Sequence, residues 1–195
     1  LNHMIEDGQE VEPEFFVPII PMGLVNGCEG IGTGWASSIP MFNPLDIVNS
    51  VKIWIDNEGE ILSEDPETGE TVSLLSDLVP WYREFKGSIT FDPKHEKGKP
   101  RYITEGICEE IGRNKVLVSE LPIGMWTTDF KTWCDKRRED KKIGEVTQQV
   151  SDRQIHFEIT ELEDGIKCSV KSMKLTSYLH ISNMVLWGTD KKIRP

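Results

Sequence analysis

Residues 12–40 read EPEFFVPIIPMGLVNGCEGIGTGWASSIP, and this stretch is the most distinctive part of the chain. Four glycines fall within eight of its residues: Gly27, Gly30, Gly32 and Gly34. A backbone without Cβ atoms can turn tightly or approach another surface closely. One large apolar residue, Ile31, stands between two of these glycines. The pattern therefore predicts tight turns around a single apolar side chain.

Ile31 has two interpretations on this pattern alone. An apolar tip on a glycine-rich loop is a candidate wedge against a partner surface. Most isoleucines are buried, so composition favours the alternative, in which Ile31 packs inward under the loop. Nucleotide binding by this segment is rejected, because its glycines run G-x-x-G-x-G-x-G and match neither the dinucleotide-binding nor the Walker pattern.

Charge is divided unevenly along the chain. Residues 1–78 contain fifteen acids and one base, Lys52, for a net charge of −14. Residues 79–195 contain eighteen acids and twenty-one bases, for a net charge of +3. A strongly acidic part cannot lie along phosphates by electrostatics alone. Any contact with nucleic acid is therefore local, and we expect basic groups outside this chain to assist it.

The cysteines and histidines are too widely spaced to predict a zinc site. They are Cys28, Cys108, Cys134, Cys168, His3, His95, His156 and His180, without a CxxC, HxxxH or HExxH pattern. We expect no metal, and free thiols that are mostly buried. No apolar run reaches the roughly 18–20 residues that cross a bilayer, and residues 1–10 lack the basic start of a signal peptide. We therefore expect no membrane contact and a cytosolic or nuclear location.

Hydrophobic periodicity predicts two helices. The first runs from Asn43 to about Asp56, since Asn43 can cap it and Pro44 suits its first position. The second runs from Thr127 to Arg138. Its predicted buried stripe consists of Phe130, Trp133, Cys134 and Arg137.

Alternating patterns predict strands over much of the remainder. They cover Gly87–Asp92, Tyr102–Ile111, Lys115–Leu121, residues 155–159, Ile166–Val170 and Tyr178–Trp187. Turns are predicted at Gly112-Arg113-Asn114 and Asp164-Gly165. Residues 58–77 are acidic, with turn signals at Asp65-Pro66 and Thr68-Gly69, and are predicted to form a surface loop. Strands and helices are segregated, so the predicted fold class is α+β, a mixed and mainly antiparallel sheet with flanking helices.

The glycine-rich stretch closely resembles the corresponding part of eukaryotic type II DNA topoisomerases and, less closely, of the A subunit of bacterial gyrase. The matching residues are Glu12-Pro13-Glu14, Pro18-Ile19-Ile20-Pro21-Met22, Leu24-Val25-Asn26-Gly27, Glu29-Gly30-Ile31-Gly32-Thr33-Gly34-Trp35 and Ile39-Pro40. Further matches follow in order: Phe85-Lys86-Gly87, Glu120-Leu121-Pro122, Trp126-Thr127 and Asn183-Met184-Val185-Leu186. The resemblance implies a segment leaving the winged-helix region at residues 1–42, and a tower domain at residues 43–195.

The resemblance also implies a reaction for the full-length enzyme. A homodimer cuts both strands of one DNA duplex, passes a second duplex through the gap and reseals the cut, driven by ATP. A tyrosine forms a covalent phosphotyrosyl link, assisted by an arginine and Mg²⁺ held by carboxylates. These groups lie before the position that matches Leu1. We therefore expect no catalytic residue, metal ligand or cofactor in this chain. It is expected to be monomeric alone, and the enzyme nuclear with a role in chromosome segregation.

Four residues receive candidate roles in binding double-stranded DNA by resemblance. Ile31 inserts between base pairs of the cut duplex and bends it, which reverses the preference for a buried isoleucine. Trp126 matches a tryptophan that contacts DNA, and the alternative is an aromatic packed on Pro122 at the start of the helix. Asn26 and Thr33 can hydrogen-bond phosphate or sugar, or can cap turns locally.

Departures from the family pattern leave a second class of function open. Residues 36–38 lack a lysine common in the family, and Gly124 replaces an arginine, so two phosphate-binding cations are missing. A protein-interaction scaffold that retains the tower fold is the alternative, and the acidic balance favours it. The intact motif Glu29–Trp35 favours the topoisomerase, because a scaffold does not need an exposed isoleucine between glycines.

Overall fold

The computed structural model describes residues 1–34, 36–64, 70–94, 99–149, 154–160, 168–187, 190 and 192–194. The helices are α1 (Met22–Asn26), α2 (Pro44–Asp56) and α3 (Thr127–Glu139). The strands are β1 (His3–Glu6), β2 (Gln9–Pro13), β3 (Cys28–Ile31), β4 (Ala36–Ile39), β5 (Leu62–Glu64), β6 (Thr71–Ser73), β7 (Ser88–Phe91), β8 (Arg101–Glu105), β9 (Ile107–Gly112), β10 (Lys115–Glu120), β11 (Val146–Gln148), β12 (Phe157–Ile159), β13 (Thr176–His180), β14 (Leu186–Trp187) and β15 (Ile193–Arg194).

Helix α2 begins where its capping residues predict. The Asn43 side chain accepts a hydrogen bond from the Leu45 N–H at 2.9 Å, and Pro44 is the first helical residue. This satisfies one of the free N–H groups at the helix start. The predicted first helix is confirmed. None of the helices in the described ranges has the length and apolar character needed to cross a membrane.

The larger hydrophobic core lies between α3 and a four-stranded antiparallel sheet in the order β11-β12-β10-β9. Phe130 and Cys134 of α3 are fully buried in this core, and Trp133 and Arg137 beside them are half-buried. The second predicted helix and its stripe are therefore confirmed. The predicted turn after β9 is confirmed as well, since β9 and β10 pair directly and Asn114 takes a left-handed φ of 56°.

A second sheet has three antiparallel strands in the order β13-β8-β7. The Arg101 guanidinium contacts the Asp92 carboxylate at 2.8 Å, and the same group lies 4.0 Å from the centre of the Tyr178 ring. Because Asp92 is nearly buried, this ion pair and cation–π contact tie the end of β7 to β8 and β13.

The stretch Tyr102–Ile111, predicted as one strand, is two strands that belong to different sheets. Gly106 separates β8 from β9, and its N–H donates to the Leu175 carbonyl at 2.9 Å. A Cβ atom at Gly106 would overlap the Glu120 carbonyl oxygen. The alternating pattern runs through this point because both halves are genuine strands. The break comes from the close approach of a distant backbone, which periodicity does not record.

Gly106→Ala is expected to lower the free energy of unfolding of the chain by about 1–3 kcal/mol, the usual cost of forcing atoms into a packed site. Urea unfolding of wild type and variant measures this difference. Gly112→Ala in the same region is the control, since its Cβ would meet only the Lys115 side chain at 3.8 Å. Equal losses for both variants would show that the Gly106 contact does not decide the outcome.

One loop prediction and two further strand predictions require correction. Residues 58–77, predicted to be a loop, contain the antiparallel hairpin β5–β6, and their turn signals at residues 65–69 lie outside the described residues. The last strand, predicted over Tyr178–Trp187, is interrupted, because β13 ends at His180 and β14 begins at Leu186. Of the strand predicted at 166–170, the described residues 168–170 are not extended strand, and the preceding turn lies outside the described residues.

The antiparallel character of the fold agrees with the predicted α+β class, because every strand pairing in the described residues is antiparallel.

A smaller core is formed by Ile39, Phe42 and Ile47. Partly buried residues pack against it: Ile20, Leu24, Val25, Val51, Leu78 and Met184. The division of the chain near residue 42 stays a prediction.

The four thiols are free, as predicted, but the prediction that most are buried is wrong, because only Cys134 is buried and Cys108 and Cys168 are partly exposed. Cys28 is exposed on β3, whereas Cys134 lies fully in the larger core. Burial raises the pKa of Cys134 to about 12. Burial, together with a hydrogen bond to Cys168, raises the pKa of Cys108 to about 12. Both of these thiols therefore stay protonated at neutral pH and do not act as nucleophiles.

Candidate functional site

The glycine-rich stretch folds into the two-stranded hairpin β3–β4. Cys28 pairs with Ile39 at its base, and Ile31 pairs with Ala36 at its far end. Residues 32–35 connect the strands, and Trp35 among them lies outside the described residues. Two of the described residues require the left-handed backbone that glycine supplies, Gly27 at φ 63° and Gly34 at φ 79°.

Ile31 is almost fully exposed on this hairpin. Its exposed fraction is 95%, whereas Ile39 at the base of the same hairpin is 4% exposed. The inward-packed alternative for Ile31 is therefore wrong. The side chain leaves its apolar surface in water, which is unfavourable unless a partner covers it.

Two glycines shape the hairpin in opposite ways. A Cβ atom at Gly27 would lie 2.6 Å from the Ile39 carbonyl oxygen, so glycine is needed there to let the strands close at the base. A Cβ atom at Gly30 would meet none of the described residues within 4 Å. The described part of the chain therefore does not require glycine at position 30. The free space there allows a partner surface to approach the hairpin closely.

The other candidate residues occupy two separate places. Asn26 is exposed at the end of α1, two residues before the hairpin, and Thr33 is exposed in its connecting turn. Neither side chain hydrogen-bonds another residue within the described ranges, so neither caps a turn there. Trp126 stands at the start of α3 with 75% of its surface exposed. This exposure disfavours the alternative in which its ring packs on Pro122.

Charge near these residues is distributed in the same uneven way as in the sequence. The hairpin carries one charged residue, Glu29, and no base between Asn26 and Pro40. Helix α3 ends in a basic turn that includes Lys136, Arg137 and Arg138. Arg138 is partly neutralised by Asp135 at 3.1 Å. Attraction to phosphate is therefore available at α3 and not at the hairpin.

The second strand of the hairpin is bonded to a distant segment. The Ser38 N–H donates to the Asn183 carbonyl at 2.9 Å, and the Ser37 hydroxyl donates to the Val185 carbonyl at 2.9 Å. Sequence reasoning missed this contact because Ser37 and Val185 are 148 residues apart. The only available signal was the family-like segment Asn183–Leu186.

Tyr82 and Tyr102 do not have the properties of an activated nucleophile. Burial raises the pKa of both Tyr82 and Tyr102 above the ordinary value, whereas a nucleophile is activated by a lowered pKa or an adjacent base. The Tyr178 ring is covered by Arg101 at 4.0 Å. Within the described residues, no three His, Cys, Asp or Glu side chains converge on a position that suits a metal ion.

Comparisons with known proteins match the chain over nearly its whole length. The family model for the A subunit of DNA gyrase and topoisomerase IV matches residues 1–194. DNA topoisomerase 2 of Plasmodium falciparum is 35% identical over 205 residues, covering 100% of this chain and 13% of the relative. The chain belongs to the type II DNA topoisomerase family. The mitochondrial DNA topoisomerase 2 of Dictyostelium discoideum is 36% identical over 202 residues, covering 100% of this chain and 14% of the relative.

A solved structure of a topoisomerase II DNA-binding, cleavage and re-ligation domain matches the fold of this chain. The crystal structure of the Plasmodium falciparum topoisomerase II DNA-binding, cleavage and re-ligation domain superposes with a TM-score of 0.74 and 32% identity. It covers 100% of this chain, which in turn covers 25% of that chain. The chain thus spans about an eighth of the length of the curated relatives it matches, at 13% and 14%. It corresponds to a part of the topoisomerase cleavage core.

Proposed function

We propose that this chain is part of an ATP-dependent type II DNA topoisomerase, in which it bends and supports the duplex that is cut. The enzyme makes a transient double-strand break and passes a second duplex through it. The observation that carries the proposal is Ile31, an isoleucine 95% exposed at the end of a hairpin strand. In this reaction Ile31 acts as a wedge between two base pairs.

The energy balance of such a wedge is close to even. Burying an isoleucine that was exposed is worth roughly 1.5–3 kcal/mol, and opening one base step costs a few kcal/mol. Insertion alone therefore does not drive bending. The remainder comes from additional contacts that a curved duplex makes with the protein. The hairpin has no lysine or arginine between Asn26 and Pro40, so these contacts must come from other parts of the protein.

Helix α3 is the proposed source of part of this support. Its exposed Trp126 can pack against the DNA backbone, and its basic final turn attracts phosphates. Asn26 and Thr33, both exposed and close to the hairpin in sequence, are proposed to bond phosphate or sugar oxygens. Gly30 leaves open space that allows the hairpin to enter the minor groove, which is about 6 Å wide.

The properties of the whole enzyme belong to the same proposal. The full-length protein is a homodimer that acts on double-stranded DNA, hydrolyses ATP and uses Mg²⁺ bound outside this chain. One relative is named mitochondrial, so the proposed nuclear location and chromosome-segregation role rest on the general resemblance to eukaryotic enzymes. The 195-residue chain alone is proposed to be monomeric. Residues 1–42 leave the winged-helix region, and residues 43–195 form the tower.

One observation favours the scaffold alternative. The segment before α1 exposes several large apolar side chains: Phe15, Phe16, Val17 and Ile19. Together with the net charge of −14 on residues 1–78, this surface suits a protein partner better than phosphate. A scaffold would bind that partner without processing DNA.

A relaxation assay separates the two functions. We expect the full-length protein to relax supercoiled plasmid with Mg²⁺ and ATP, and the 195-residue chain alone to give no relaxed product. The covalent nucleophile and its metal ligands lie outside this chain, and losing such groups costs many orders of magnitude in rate. Relaxation by the purified chain alone would contradict this assignment. A full-length protein that binds DNA but never relaxes it would favour the scaffold.

A further inference from the structure

We propose that Ser37 is a positioning residue, whose hydroxyl fixes the direction in which Ile31 projects from the hairpin. The inference rests on the proposed bending role of Ile31 and adds to it the element that orients the wedge. A wedge acts only if its side chain meets the base step at the correct angle, because a displacement of about 1 Å can remove a positioned interaction.

The hairpin cannot set its own orientation. A two-stranded ribbon is at best marginally stable alone, and every residue of β3 is exposed. A cavity of about 460 Å³ opens beside the hairpin, lined among others by Glu29, Pro40 and Tyr178. Ser38 and Asn183 line the same cavity, so close side-chain packing does not hold the strands there. The fixed contacts lie on β4.

Ser37 and Ser38 provide those contacts. The Ser37 hydroxyl donates to the Val185 carbonyl at 2.9 Å in a partly buried position. The adjacent Ser38 N–H donates to the Asn183 carbonyl at 2.9 Å. One bond alone would leave the strand free to rotate about it. Two bonds from neighbouring residues to two different carbonyls fix the strand against residues 183–185.

The receiving segment is itself held in place. The Val185 N–H donates to the Asn183 carbonyl at 3.0 Å, which closes a tight turn around Met184. Met184 packs against the smaller core of Ile39, Phe42 and Ile47. The carbonyls that Ser37 and Ser38 contact are thus fixed by packing on a core that includes Ile39 at the base of the hairpin.

The pairing register of the hairpin places Ile31 next to the strand pair that contains Ser37. Ser37 pairs with Gly30, and the next pair along the hairpin joins Ala36 to Ile31. Gly30 has no side chain to contribute rigidity, so the orientation of Ile31 depends on the opposite strand. The Ser37 hydroxyl is one strand pair from the wedge, and it is the last side-chain anchor before it in the described residues.

The test uses the full-length protein and energy transfer between the ends of a short labelled duplex, with DNA affinity and thermal melting measured in parallel. For Ser37→Ala we expect the ratio of bent to unbent DNA to fall about fivefold, the effect of one net hydrogen bond. Affinity and melting temperature should stay near wild type. Ser37→Thr retains the hydroxyl and should restore bending.

Ser38→Ala is the matched control. Its backbone N–H still reaches Asn183, and within the described residues its side chain makes no hydrogen bond that is lost. Wild-type bending by Ser37→Ala, in a series where Ile31→Ala abolishes bending, would overturn the positioning role and leave the wedge intact. Equal losses for Ser37→Ala and Ser38→Ala, or no rescue by threonine, would also overturn it. Unchanged bending by Ile31→Ala would overturn the proposed wedge itself, and this inference with it.

Discussion

Ile31→Ala in the full-length enzyme is expected to abolish most DNA bending and to lower cleavage with it, while the folded structure is retained. Alanine keeps the hairpin backbone but removes the volume that holds two base pairs apart. Affinity should fall by no more than about tenfold, because phosphate contacts from other parts of the enzyme supply most of it. Stability should be unchanged, since Ile31 is 95% exposed and has little burial to lose.

Ile19→Ala is the matched control for this experiment. Ile19 is 94% exposed and lies before α1, away from the hairpin in sequence. Energy transfer on a doubly labelled duplex reports the bent fraction, and a thermal melt reports folding. Loss of bending with Ile31→Ala but not with Ile19→Ala is the expected result. A large fall in melting temperature with bending intact would contradict the wedge, as would equal effects of the two variants.

Local sequence signals were sufficient for α2 and α3, whereas the short helix α1 was not predicted. The Asn43 cap and Pro44 determine where α2 begins, and the spacing of Phe130 and Cys134 identifies the buried face of α3. These features depend on neighbours within a few residues along the chain. A periodic pattern therefore contains all the information that the prediction needs.

The boundaries of the strands in the sheets depend on long-range contacts, which a periodic pattern along the sequence does not record. Gly106 divides one alternating run into β8 and β9 because the Glu120 backbone approaches it closely. The hairpin β5–β6 was hidden by acidic residues, since a short exposed ribbon needs no apolar face. Composition also gave the wrong preference for Ile31, because burial statistics describe an average isoleucine. Only the resemblance indicated its exposure, and the bond between Ser37 and Val185 was not predicted by any local signal.

Phe130 provides the strongest expected effect on folding. Its side chain is fully buried, with its ring stacked on Trp133 at 5.4 Å between ring centres and meeting Phe157 edge-on at 5.0 Å. Phe157 belongs to β12, the inner strand that pairs with both β10 and β11. Phe130 thus joins α3 to the middle of the larger sheet. Removing its ring leaves a cavity that the sheet backbone cannot close.

Phe130→Ala is therefore expected to lower the free energy of unfolding by about 3–5 kcal/mol, or the melting temperature by roughly 10 °C for a chain of this size. Trp126→Ala, on the same helix but 75% exposed, is the control and should change stability by less than about 0.5 kcal/mol. Under the proposed function the two variants should also differ in their effect on DNA. Trp126→Ala should weaken binding with folding intact, whereas Phe130→Ala should weaken it only as α3 loses its support. Urea unfolding and DNA titration of both variants test this. A stable Phe130→Ala would show that packing of α3 on the four-stranded sheet does not determine the stability of the chain.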